Sequence, residues 1–275
     1  MFDRPGAYTD VISVQSEVIY GCVGNSVALP ALRRHGLRVA GVPTVLLSNM
    51  PSYPSCYGGE ISPEWFEGFL QGLHERGQDN HLRAIITGYL GRVSKAEALV
   101  HWLKNATERN PHALIVIDPV LGDEDTGIYV DPGLVSWYRN YLAPMATGLT
   151  PNRYELSCLT GRVLSSQQDV INAARSLIGK KTRWIAVTSA SRSDASGTLQ
   201  VLCVTADSVY IVEHRSVENA PRGTGDLFTA ELTAGLLHGK TLNEAADSAS
   251  KNTLLCVEEA VRDGSGLLNP LRLST

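Results

Sequence analysis

The chain has 275 residues, 43% of them hydrophobic and 19% charged, with a formal net charge of −4. That is enough apolar material for a large core, and residues 1–275 are expected to form a single domain. The acidic balance speaks against nucleic acid or an anionic membrane as the main partner.

Five cysteines (Cys22, Cys56, Cys158, Cys203, Cys256), odd in number and with no Cys-x-x-Cys, fit reduced thiols better than a disulfide framework or a zinc site. Met1–Asp10 carries two acids and no apolar run, and no stretch approaches the roughly 20 apolar residues of a membrane span. A soluble, cytoplasmic globular protein is expected.

In chain order, Val11–Val14 reads as a first strand ending at Gln15-Ser16, and Gly21-Cys22-Val23-Gly24-Asn25-Ser26 leads into a helix through Arg34. Its glycine spacing is not Gly-x-Gly-x-x-Gly, and Gly-x-x-x-x-Gly-Lys-Ser/Thr is absent from the chain, so neither a dinucleotide fingerprint nor a P-loop is supported. Leu37–Val42, Ala84–Thr87, Leu114–Asp118, Thr147–Thr150 and Arg183–Thr188 follow as strands, several apolar throughout, as suits strands covered on both faces. Ser62-Pro63 and Asp131-Pro132 pair an N-cap with proline at the first helical position. Ser94…Glu97, Ser165…Gln168 and Thr241…Glu244 have capping-box spacing, and Gly77, Gly161, Gly179 and Gly239 suit helix stops. Leu199–Thr205 and Val209–Val212 form a hairpin turning at Ala206-Asp207-Ser208. In the last helix Leu242, Ala246, Ala249, Val257 and Val261 recur at helical spacing and mark a core face. Strands alternating with helices predict a largely parallel sheet with helices on both sides, whose ligands bind beyond the carboxyl ends of the strands.

Several stretches fall at those strand ends. Thr87-Gly88-Tyr89 offers either a stacking ring or a packed aromatic. Asp118-Pro119-Val120-Leu121-Gly122-Asp123 places two carboxylates after a buried strand, where they could hold Mg²⁺ or simply cap a turn. In Thr150-Pro151-Asn152…Glu155 a helix cap competes with a role for Glu155 near a metal. Thr188-Ser189 adds hydroxyls to the same edge, and Asn219–Arg222 reads as a loop that could lie along a nucleotide. Arg222-Gly223-Thr224-Gly225-Asp226-Leu227-Phe228 then opens an apolar helix. Its glycines allow close backbone approach, its unpaired N–H groups suit an anion, and Asp226 stands at the mouth of that site.

Taken in order, Asp118-Pro119-Val120, Thr150-Pro151-Asn152…Glu155 and Gly223-Thr224-Gly225-Asp226 resemble the ribokinase-like superfamily. Gln15-Ser16, Tyr20-Gly21…Ser26, Thr87-Gly88-Tyr89 and Asp123…Gly127-Ile128-Tyr129-Val130 resemble its pyridoxal kinase family. The resemblance implies a ribokinase-like three-layer α/β/α sandwich with a mostly parallel central sheet and a hairpin in the C-terminal half. It implies ATP-dependent phosphorylation of the 5′-hydroxymethyl group of a vitamin B6 vitamer, with Asp226 as general base. Gly223, Thr224 and Gly225 would form the anion hole, and Ser16, Ser52, Tyr89 and Asp226 the vitamer site. Asp118, Thr150, Glu155, Thr188, His214, Arg215, Ser216, Val217 and Gly223 match nucleotide-site positions, and Asp118, Glu155 and Tyr129 match the surroundings of Mg²⁺. A cytoplasmic homodimer supported by K⁺ is implied as well. One departure concerns Met50-Pro51-Ser52, where relatives often carry a histidine or threonine near the substrate ring; vitamer preference turns on it. A hydroxymethylpyrimidine kinase is the nearest alternative, as sole or second activity. A non-catalytic B6-binding protein is the other alternative, against which the presence of Asp226, Asp118 and Glu155 argues.

Overall fold

The computed structural model describes residues 8–193 and 197–273. The chain runs β1 (Val11–Tyr20), α1 (Asn25–Arg34), β2 (Val39–Asn49), β3 (Gly58–Glu60), α2 (Pro63–Glu75), β4 (Ala84–Thr87), α3 (Val93–Arg109) and β5 (Leu114–Ile117). Two short strands, β6 (Gly122–Asp123) and β7 (Gly127–Ile128), form a separate ribbon. There follow α4 (Gly133–Trp137), β8 (Gly148–Leu149), α5 (Arg153–Thr160), α6 (Gln167–Ser176), β9 (Trp184–Ser193), β10 (Thr198–Thr205), β11 (Val209–Arg215), α7 (Thr224–Leu237) and α8 (Leu242–Arg262).

Among the described residues the main sheet has nine strands, in the order β11-β10-β9-β8-β5-β4-β1-β2-β3. From β9 to β2 neighbours are parallel; β10 and β11 at one edge and β3 at the other are antiparallel. Alternation along the strands divides the core between two faces. Ile12, Val14, Ile85, Ile117 and Val187 pack with residues of α2 to α6, including Phe66, Leu99, Leu134, Leu156 and Val170. Val11, Ala84, Ile86, Val116 and Ala186 point the other way, against α1, α7 and α8. This is the three-layer α/β/α arrangement expected, with the hairpin β10–β11 where the sequence places it. Among the described residues no helix is long and apolar enough to cross a membrane.

Local side-chain chemistry sets many helix ends as expected. Ser62 caps α2 with Pro63 at its first position, and Thr241 with Glu244 and Asn152 with Glu155 form full capping boxes. Gly161 ends α5 in the left-handed region, and Gly77 and Gly239 follow their helices with positive φ. Other expectations are corrected. Ser94 lies inside α3, whose N-cap is Arg92, held at its guanidinium by Glu60. The box at α6 is Ser166 with Asp169, one residue later than Ser165…Gln168, because the Asp169 carboxylate accepts from both Ser165 N–H and Ser166 N–H. Asp131 caps a turn by accepting from Gly133 N–H, so α4 begins after Pro132 rather than with it. Gly179 is no helix stop, since α6 already closes at Leu177. On α8, Ala246, Ala249 and Val257 are buried, but Val261 is 39% exposed and Ala260 takes the core position.

Candidate active site

The centre of the site is the N-terminus of α7. Gly223 is its N-cap with φ 96°, and the first intrahelical bond runs from Leu227 N–H to Gly223 O, at 3.0 Å. The N–H groups of Thr224, Gly225 and Asp226 precede that bond and point out of the helix, at the positive end of its dipole. Only glycine suits position 223: φ is positive, and a side chain would collide with the Cys22 carbonyl oxygen.

Asp226 is the third residue of this helix, and its Oδ2 accepts the Gly24 N–H at 2.8 Å. Gly24 in turn caps α1 and lies so close to Ser16 that a side chain on it would overlap the serine. Two helix N-termini and the bulged part of β1 thereby meet at one carboxylate. Asp226 is recessed among protein atoms, and burial pushes its pKa up to about 6, against the single backbone bond that favours its ionised form.

Facing it, β5 delivers Asp118. A methyl group on Gly225 would stand 3.7 Å from Asp118 Oδ2. Thr229, one turn along α7, approaches the same oxygen at 3.4 Å and shares a 2.8 Å bond with Thr150. Glu155 is fully engaged: Oε1 accepts Leu121 N–H at 3.0 Å and Oε2 accepts Asn152 N–H at 2.8 Å. The capping reading of Glu155 is the one seen, and the cap holds the carboxylate against the loop that follows Asp118. Burial, then the charges of Glu155 and Asp226, raises the pKa of Asp118 well above the usual range; burial, with a smaller push from the charge of Asp123, lifts Glu155 to about 8 against its backbone bonds. Tyr129 is partly exposed, and the burial of its phenol, followed by the charges of Glu155 and Asp118, pushes its pKa up.

This acidic pair tests the fit of a divalent cation. Among the described residues no three histidine, cysteine or carboxylate side chains form a ready metal cage. Mg²⁺, however, keeps most of its waters and takes one or two carboxylates together with phosphate oxygens. Asp118, with only a long hydroxyl contact and like charges around it, fits such a role directly; Glu155, both oxygens engaged, fits only through water.

A cavity of about 140 Å³ runs from Thr224 and Gly225 between β9–β11 and α8. Thr188, His214, Arg215 and Val217 line it, as does Ser189, whose φ of 48° is unusual for a residue other than glycine. The structure therefore brings these nucleotide-site candidates together beside the α7 N-terminus. Ser216 is placed by its backbone, donating to Gly197 O. Thr150 is buried beneath Asp118 and Thr229, away from the cavity wall. Of the vitamer-site candidates, Ser16 lies against Gly24 and Tyr89 is half-buried, with its carbonyl accepting from Thr44 Oγ1 at 2.6 Å. Ser52 is exposed in the loop after β2, which is anchored by buried Met50 against Gly21.

The link from Gly24 to Asp226 and the place of Thr229 escape a reading by motif. Gly24 stands in a glycine-rich segment that draws notice, but its bond to Asp226 spans 202 positions. Thr229 has no distinguishing sequence signal beyond its place one turn after Asp226.

Comparison with known proteins adds names to this geometry. The family model described as phosphomethylpyrimidine kinase matches residues 61–271. A pyridoxine/pyridoxal/pyridoxamine kinase of Bordetella avium is 48% identical over 267 residues, covering 96% of this chain and 90% of the relative. A pyridoxal kinase PdxY of Rubrobacter xylanophilus is 32% identical, covering 94% of this chain and 90% of its own. The solved pyridoxal kinase of Leishmania donovani in complex with ADP and pyridoxamine superposes with a TM-score of 0.85. It is 27% identical, with 95% of this chain and 90% of that chain covered.

Proposed function

The chain belongs to the pyridoxal kinase family of ribokinase-like enzymes, and from that membership we propose that it phosphorylates the 5′-hydroxymethyl group of vitamin B6 vitamers with ATP. The observation that carries the reading is the meeting of Asp226 and Asp118 at the open N-terminus of α7, whose Thr224 and Gly225 line the cavity. Phosphoryl transfer needs few parts: a base for the attacking hydroxyl, fixed dipoles where charge develops, and a cation for the phosphates.

Asp226 serves as the base. Its pKa near 6 leaves it ionised at neutral pH yet more basic than an ordinary carboxylate, which suits proton removal from an alcohol. The Gly24 N–H orients the carboxylate, leaving Oδ1 for the substrate. The N–H groups of Thr224 to Asp226 hold the transferring phosphoryl group, and Gly223 lets the chain turn closely enough to present them. Asp118 would hold Mg²⁺, with Glu155 and Tyr129 around it. When bound, the ion neutralises phosphate charge. Ser16 and Tyr89 position the pyridine ring, with Ser52 reaching it from the loop after β2. Thr188 and His214–Val217 flank the nucleotide. One kinase domain, a homodimer in the cytoplasm with K⁺ as activator, completes the proposal.

A second reading, hydroxymethylpyrimidine kinase, is favoured by the description of the matching family model. That match begins at residue 61 and omits Ser16, Gly24 and the 50–57 loop, whereas the B6-named relatives align over nearly the whole chain. The names of the curated relatives that align along nearly the whole chain support a B6 vitamer as acceptor. An ADP-release assay with pyridoxal, pyridoxine, pyridoxamine and hydroxymethylpyrimidine, with and without Mg²⁺ and K⁺, decides the matter. Metal-dependent release with a vitamer is expected; release with the pyrimidine alone would move the assignment to the second reading.

A further inference from the structure

The first turn of a helix favours acids, because the unpaired N–H groups there carry partial positive charge. Helix α3 breaks that rule twice. Its N-cap is Arg92, and its first turn, Val93-Ser94-Lys95-Ala96, holds a lysine and no acid. The Lys95 side chain is 1% exposed, and a buried ammonium destabilises the fold unless it is paired. The charge that answers both cations comes from outside the helix. Glu60, on β3, accepts from Arg92 Nε through Oε1 at 2.7 Å and from Lys95 Nζ through Oε2 at 3.3 Å. Burial alone would raise the Glu60 carboxyl, but the two cations hold its pKa below the ordinary value.

These contacts close a ring around Tyr89. Ile61, next to Glu60, donates its N–H to Thr44 O at 3.0 Å. Thr44 is buried, and its Oγ1 donates to Tyr89 O at 2.6 Å. The Tyr89 ring folds back on Gly91, where an added methyl group would stand 3.1 Å from the ring and 3.5 Å from the phenol oxygen. Arg92 follows at once and returns to Glu60. Burial of the phenol and then the charge of Glu60 raise the pKa of Tyr89, with Arg92 acting the other way, so the phenol lies within the field of this ion group. Glu60 also ends the hairpin β2–β3, whose loop carries Ser52: Val45 pairs with Glu60 and Leu47 with Gly58.

We propose that Glu60, clamped by Arg92 and Lys95, is a positioning residue that sets Tyr89 and the β2–β3 hairpin at the acceptor end of the site, a role that rests on the vitamer assignment above. Glu60 acts through these other residues. It removes freedom from the wall against which the pyridine ring binds, so that less order has to be imposed when the acceptor arrives. Such a contribution is equal in the ground state and the transition state, and it shows in the acceptor's KM rather than in kcat. The nucleotide end, at the head of α7, is built from other contacts.

The test compares Glu60→Ala with the double variant Glu60→Ala/Lys95→Met of the full chain, in steady-state turnover of pyridoxal and ATP and in thermal unfolding without ligand. Both variants are expected to raise the KM for pyridoxal about three- to tenfold, with kcat and the KM for ATP within about twofold of wild type. Glu60→Ala leaves the Lys95 ammonium buried without its partner, so its unfolding temperature should drop; the double variant, with that ammonium removed, should recover stability but not the KM. The double variant also answers for a single variant that fails to fold. An unchanged KM for pyridoxal in the double variant would overturn the inference, as would an equal rise in KM for both substrates. Wild-type protein that phosphorylates hydroxymethylpyrimidine and not pyridoxal would overturn the vitamer assignment itself, and this inference with it.

Discussion

Gly24 donates its backbone N–H to Asp226 Oδ2 at 2.8 Å, joining residues 202 positions apart at the heads of α1 and α7. The bond fixes one carboxylate oxygen and leaves the other to act. Replacing Asp226 by asparagine keeps an acceptor for Gly24 and removes the base. Turnover is expected to fall by about 10²–10⁴-fold, the usual contribution of a positioned general base. ADP affinity should hold within a factor of about three, because the carboxylate is not among the groups proposed to hold the nucleotide. Single-turnover kinetics and calorimetry read the two effects separately, and a turnover loss below tenfold would remove Asp226 from the base role.

The same carboxylate gives a pH dependence whose sign follows from its burial. With the folded pKa raised to about 6, kcat/KM should be level above that pH and fall about tenfold per unit below it. Stability runs the other way. Between the ordinary carboxylate pKa near 3.8 and about 6, the folded state holds a proton that the unfolded chain has lost, so this group's contribution declines as pH rises through that window. Asp226→Asn should therefore stabilise the ligand-free protein at neutral pH, by at most about 3 kcal/mol from a shift of about two units. Chemical denaturation at pH 5 and pH 8 checks it: the variant's advantage should be larger at pH 8.

How much of this was legible beforehand depended on whether a signal was local. The Asn152–Glu155 and Thr241–Glu244 boxes close within one helical turn, so their residues suffice to place them. Ser94 fails as a cap because Arg92, tied to Glu60 from the far side of α2, starts the helix earlier. Strand β3, Gly58-Gly59-Glu60, has no intrinsic strand preference and exists only through its pairing with β2. The polar run Gln15-Ser16-Glu17 hid the continuation of β1, which passes through a bulge there before reaching Tyr20. Asp118, Glu155 and the Gly223–Asp226 turn were legible as strand-end and helix-start chemistry. The donor that orients Asp226 was not, since nothing near Gly24 in the sequence announces a partner in α7.

Gly223 tests the close packing beneath the anion site. Alanine there must adopt φ near 96° and clear the Cys22 carbonyl, a backbone atom with little room to move. Strain of this kind costs about 1–3 kcal/mol where the fold resists it. We expect Gly223→Ala to lower stability by that amount and to cut turnover more than a uniform loss of folded protein would allow. Activity corrected for the folded fraction separates the two. Wild-type specific activity in the folded variant would show that the turn tolerates displacement and that its N–H groups are not aimed as proposed.

Farther down the same two helices, Glu231 of α7 anchors Arg34 at the end of α1, the His35 that follows it, and Asn252 of α8. Its Oε1 and Oε2 accept from Arg34 at 2.8 and 2.7 Å, and Asn252 Nδ2 donates to Oε2 at 2.6 Å. Burial alone would raise this carboxyl, but the bonds from His35, Arg34 and Asn252 outweigh it and hold the pKa below the usual value. The sign is therefore opposite to that of Asp226. The stabilisation is complete above the unfolded glutamate range, near 4.5, and disappears as pH falls through the lower folded value. Glu231→Gln keeps the shape but removes a buried charge from its arginine, a change that costs on the order of 3 kcal/mol in such pairs. The loss should be large at pH 7 and shrink as pH drops below about 4, where the wild-type carboxyl is itself becoming neutral. Urea denaturation across that range measures it. A deficit independent of pH would mean that packing, not charge, is what Glu231 supplies between the helices.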